Sequence, residues 1–118
     1  MKSILLALSL LSTFYSFSQD NMTAYKKHVK TADSLYSTKH FAESAEQYHK
    51  AFSYLAGKAY PNDRYNAACS YSLANEVDSA FKHLNSLAFR QDYSNYNHIM
   101  VDPDLNNLKE DKRWNEFV

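Results

Sequence analysis

Apolar residues fall three and four apart along most of this chain, and one arrangement of them occurs twice. Ala32, Leu35, Phe41, Ser44, Tyr48 and Ala51 are matched by Ala68, Tyr71, Val77, Ala80, Leu84 and Leu87, a constant offset (68 − 32 = 36). Each copy has a small residue, a larger one three positions on, a short break and then a second stripe. Spacing of three and four places a stripe on one face of a helix. Each copy therefore predicts a helical hairpin, and repeats with periods of roughly 20–50 residues mark stacked arrays.

The stripes predict four helices, over residues 21–37, 41–56, 62–74 and 77–90. The first carries Thr31, Ala32, Leu35 and Tyr36 as a stripe, with Asn21 expected as its cap. Gly57 follows the second, where a left-handed residue often ends a helix. Asn75, between the third and fourth, suits the same conformation, since asparagine tolerates positive φ better than most residues. A third unit begins near Tyr93 with Tyr96, Ile99 and Met100, and stops at Asp102-Pro103-Asp104. Asp102 is expected to cap a new helix with Pro103 in its first turn and Leu105 and Leu108 facing inward. Asp111 is expected to cap a last turn carrying Trp114 and Phe117. This tail reads as a lid over the final apolar face of the array.

Composition supports helices. With Gly 1 and Pro 2 in 118 residues, the turns of an all-β domain are missing. The 13 Lys+Arg and 13 Asp+Glu cancel, and no basic run stands out, which sets nonspecific nucleic-acid binding aside. Met1-Lys2 followed by the apolar run Ile4 to Leu11 and small residues around Ser16 and Ser18 reads as a secretory signal over residues 1–18. The run is shorter than the roughly 20 apolar residues a membrane span needs, so no span is expected after cleavage. Export to the periplasm or the outside follows. Cys69 is the single cysteine, so no internal disulfide supports the fold, and its neighbours Ala68 and Ser70 suggest a small packing residue in a helix.

These residues resemble the tetratricopeptide repeat family. The match covers residues 22–118, as one repeat over 22–56, a second over 61–91 and a partial third with a cap over 92–118. Tyr65-Asn66-Ala67-Ala68-Cys69, Asp78-Ser79-Ala80-Phe81 and Asp102-Pro103-Asp104-Leu105 are similar to an end-of-array variant of that family. The departures are His28, Thr31 and Leu87 at positions where the family prefers other residues, with Lys39 and Asn75 replacing the interhelix glycine. The resemblance implies an all-α stack whose first helices line a concave groove. Carried onto this chain, the groove positions are Lys26, Val29, Asp33 and Tyr36, then Asn62, Tyr65, Asn66, Cys69, Ser72 and Leu73. Tyrosine offers broad contact with a polar tip. Ordinary helix packing is the competing reading of Tyr36 and Tyr65.

Catalytic readings find no residue set. The five histidines, His28, His40, His49, His83 and His98, are nowhere three to five residues apart, so no local zinc motif exists, and each is expected at the solvated surface. No Gly-x-Ser-x-Gly turn occurs, and one glycine cannot build a phosphate-cradling loop. The expectation is a binding module for a protein or peptide, with no cofactor and no metal. Self-association of a short array is the alternative, ahead of a small metal-binding or hydrolytic protein.

Overall fold

The computed structural model describes residues 2–91, 93 and 95–117, with side chains from residue 18 onward. The expected export segment, residues 1–18, thus lies outside the residues whose side chains are described, Ser18 apart. Every regular element among the described residues is helical. They are α1 (Lys2–Ser37), α2 (Phe41–Ser53), α3 (Pro61–Leu73), α4 (Val77–Arg90) and α5 (Tyr96–Val101), then two 3₁₀ helices, Pro103–Leu108 and Lys112–Phe117. No described helix is long and apolar enough to cross a membrane.

Two antiparallel hairpins, α1–α2 and α3–α4, are joined by α2 packing on α3. The 36-residue period is present in the backbone. Lys39 and Asn75 take positive φ, at 64° and 60°. His40 N–H donates to Leu35 O at 2.8 Å and Lys39 N–H to Tyr36 O at 2.9 Å; Glu76 N–H donates to Tyr71 O at 2.9 Å and Asn75 N–H to Ser72 O at 3.0 Å. Both ends are therefore Schellman turns, which satisfy orphan carbonyls through one left-handed residue. The paired positions also share their burial. Ala32 and Ala68, Ser44 and Ala80, Tyr48 and Leu84, and Ala51 and Leu87 are buried, whereas Leu35 and Tyr71, and Phe41 and Val77, are half-buried.

Several expected boundaries differ: the third helix lies one residue earlier at each end than expected, and the helix of the third unit starts at Tyr96 rather than near Tyr93. Asn21 caps nothing, because α1 runs through it. The second helix ends at Ser53 rather than Ala56, as Ala56 and Gly57 turn into positive φ and Gly57 N–H reaches back to Phe52 O at 2.9 Å.

The core falls into two clusters. The first holds Tyr25, Tyr48 and Phe52 among Ala32, Ala51 and Ala67. The second holds Leu84, Leu87, Ile99, Leu105, Leu108, Phe81, Trp114 and Phe117 with Tyr65, Ala68, Cys69 and Ala80. Leu105 and Leu108 sit one 3₁₀ turn apart and face α3 and α4, as the lid reading requires. Asp102 starts that turn by accepting from Asp104 N–H at 3.0 Å, and Asp111 accepts from Arg113 N–H at 2.9 Å before the Trp114 turn.

Candidate functional site

One face of α1 carries Asp33 and Tyr36 and one face of α3 carries Tyr65, Asn66 and Cys69; Asp33 and Asn66 are exposed, Tyr36 is half-buried, and Tyr65 and Cys69 are buried. The 3:4 spacing of each set keeps it on one face. Tyr48 reaches up from α2 to donate to Asp33, and only 1% of it is exposed. The Asp102-Pro103-Asp104 turn closes the far end, and His98 stands one turn before it with Nε2 3.6 Å from Asp102. Together these residues line a cavity of about 330 Å³. A second one of about 280 Å³ lies further along α1, between Tyr25, Lys26, Val29, Lys30, Asp33, Tyr60 and Asp63.

Four tyrosine–aspartate bonds organise this face. Tyr25 donates to Asp63 at 2.5 Å and Tyr65 to Asp102 at 2.5 Å, while Tyr36 donates to Asp104 and Tyr48 to Asp33. The partners lie 38, 37, 68 and 15 residues apart in the chain. Each bond ties two elements, so the pairs fix the groove's shape as well as its chemistry. Burial first, and the bond to the carboxylate second, push all four phenols above their ordinary value. They stay protonated donors, unsuited to act as bases.

The Cys69 thiol is pushed up by burial and then by the charges of Asp102 and Asp104. A cysteine nucleophile needs the opposite environment. Cys69 Sγ and oxygens of Asp102 and Asp104 lie within 4.8 Å of one another. That set mixes a soft sulfur with hard oxygens already serving as phenol acceptors and as a helix cap, and it matches no common ligand set.

No family model, no curated protein and no solved structure matches this chain. What it does must be read from its own residues.

The expected groove positions divide. Asp33, Tyr36, Tyr65, Asn66 and Cys69 come together around the larger cavity, and Lys26, Val29 and Asp33 around the smaller. Asn62 is exposed and Leu73 half-buried, and neither lines these cavities. Ser72 is wholly buried, with an Oγ that has no partner among the described residues, so it is not a groove residue. Tyr65 is both core and groove, since its ring belongs to the second cluster and its hydroxyl faces Asp102.

Sequence reasoning missed Tyr25, Tyr48's role as donor, and the use of Asp102 and Asp104 beyond capping. It also placed His83 at the surface. His83 is buried, stacked on Tyr71 at 5.3 Å, with Nδ1 3.1 Å from Arg64 Nη1. Burial first and the Arg64 charge second lower its pKa to about 4, so as a neutral ring it accepts a hydrogen bond from Arg64 Nη1–H. The signal was available, because His83 falls on the stripe Ala80, Leu84, Leu87.

Proposed function

We propose that this chain is an exported, non-catalytic binding module of the tetratricopeptide type, and that its α1–α3 face takes an extended polypeptide segment carrying a basic side chain. The observation that carries this reading is the composition of the 330 Å³ cavity. Three carboxylates (Asp33, Asp102, Asp104) and three phenol rings (Tyr36, Tyr48, Tyr65) line it, and among the described residues no Lys or Arg does. A carboxylate that accepts one phenol proton retains further acceptor sites. An ammonium or guanidinium entering there gains charge-assisted bonds and aromatic contact, worth about 0.5–2 kcal/mol for the ring alone. Asn66, exposed on the rim, is placed to bond a peptide backbone.

Titration of the full chain with a fluorescent arginine-containing peptide, beside the same peptide with citrulline in place of arginine, tests the reading. The arginine peptide is expected to bind, and Asp33→Asn with Asp104→Asn to weaken it by about tenfold or more. Equal binding of the two peptides would end the proposal. A melting temperature that rises with protein concentration, together with no peptide binding, would favour self-association instead.

A further inference from the structure

A larger cavity, about 1190 Å³, runs along α4 between the Ala56–Ala59 turn and the Lys112–Phe117 helix, and shares no residue with the tyrosine–aspartate groove. Its lining carries five basic residues, Lys58, Arg64, Lys82, Arg90 and Arg113, against Asp78 and Glu116. Arg113 is already engaged, 2.9 Å from both Asp78 and Asp111. The other four lie beyond 4 Å from every carboxylate among the described residues.

Arg64 is the informative one. Only 9% of it is exposed, and its guanidinium lies 5.4 Å from the Phe52 ring with no carboxylate within 4 Å among those residues. Nε donates to Gln91 Oε1 at 2.9 Å, Nη2 to Gly57 O at 3.0 Å and Nη1 to neutral His83, which leaves every acceptor uncharged. A guanidinium has five N–H donors, and three are placed here. A buried cation is normally paired, because its desolvation is otherwise uncompensated. In the same lining Phe89 is 70% exposed, and among the described residues the amide Oδ1 of Asn85 is shielded without a partner. The lining from Lys82 to Arg90 spans two helical turns, about 12 Å. That is too long for a single small oxyanion and suits a chain.

We propose that this cavity docks an acidic segment of a partner polypeptide, with a glutamate or aspartate side chain on Arg64 and an apolar neighbour over Phe89. The interspersed Asp78, Glu116 and Phe89 make it a poor track for a uniform polyanion such as nucleic acid. The module thus has two docking faces of opposite charge, hidden by a formal net charge of zero.

Fluorescence anisotropy of the full chain with a labelled peptide of repeated Glu-Glu-Leu, and with its Gln-Gln-Leu counterpart, tests this face. The glutamate peptide is expected to bind, to weaken with added salt, and to weaken by about tenfold in a Lys58→Glu/Lys82→Glu chain whose melting temperature is unchanged. Asp104→Asn, on the other face, is expected to leave it intact, so the two sites fail separately. Equal binding of the two peptides overturns the proposal, as does binding untouched by the charge reversals. A dimer in sedimentation that Lys82→Glu dissociates also overturns it, since a second copy then fills the cavity.

Discussion

The two core clusters solve one packing problem with different side chains. Around the first hairpin the large residues are Tyr25, Tyr48 and Phe52, set among alanines. Around the second they are Leu84, Leu87, Ile99, Leu105 and Leu108, closed by Trp114 and Phe117. Aliphatic side chains bury completely and offer nothing to the surface. Buried tyrosines must place their hydroxyls, and here the hydroxyls emerge on the α1–α3 face against aspartates. The first hairpin's core thus reaches the groove through its tyrosine hydroxyls, whereas the leucines and Ile99 of the second stay sealed and that cluster meets the cavities through Tyr65, Cys69 and Phe81. Tyr65 sits where the two meet, with its ring in the second cluster and its hydroxyl on the groove.

The widest separation between the two regions is expected from truncation. Leu84→Ala empties a fully buried site and should cost about 2–5 kcal/mol in urea unfolding. Tyr48→Phe removes only the hydroxyl, so it should cost about 1 kcal/mol while weakening binding of the arginine peptide. Equal losses for the two would erase the distinction.

Acid separates the regions next. The folded pKa of His83 is about 4 against an ordinary 6.5, so the unfolded chain binds the proton more readily. Its contribution is full above pH 6.5 and is lost as pH falls towards 4, by about 3 kcal/mol. His83→Gln, which retains an acceptor for Arg64, should flatten that part of the stability profile. An unchanged profile would place the acid sensitivity elsewhere.

A smaller contrast lies within α3, where Ser70 and Ser72 are both wholly buried. Ser70 Oγ is 3.0 Å from Ser44 Oγ, which in turn donates to Ala32 O at 2.8 Å. Ser72 Oγ has no partner among the described residues. Ser70→Ala should destabilise by about 1 kcal/mol, and Ser72→Ala should stabilise by up to about 1 kcal/mol, because it removes an unsatisfied group and favours the helix. Thermal melts of the two variants moving in the same direction would contradict the assignment.

Much of the scaffold was legible because it is local. The stripes of the two hairpins, the positive φ of Asn75, the bounds of α4 and the capping by Asp102 and Asp111 all depend on residues within a few positions of one another. The groove was legible only as an implication of the family resemblance, and only in part. Its chemistry lies in tyrosine–aspartate pairs up to 68 residues apart, which no local period encodes. Tyr25 was missed for a related reason. Its counterpart one repeat later is Pro61, so the repeat gives it no match (61 − 25 = 36). Ser72 was misplaced because α3 is covered nearly all round, with α2 on one side and α4 and the Pro103–Leu108 helix on others. A stripe argument assigns a solvent face that this helix largely lacks.

The most direct measurement is an NMR titration of the full chain, labelled at its tyrosine rings, with the arginine-containing peptide. Tyr36, Tyr48 and Tyr65 should shift together and saturate with one affinity, while Tyr54 and Tyr96, exposed and outside the cavity lining, stay still. Shifts confined to Tyr54 or Tyr96, or a spectrum that does not respond, would contradict the groove.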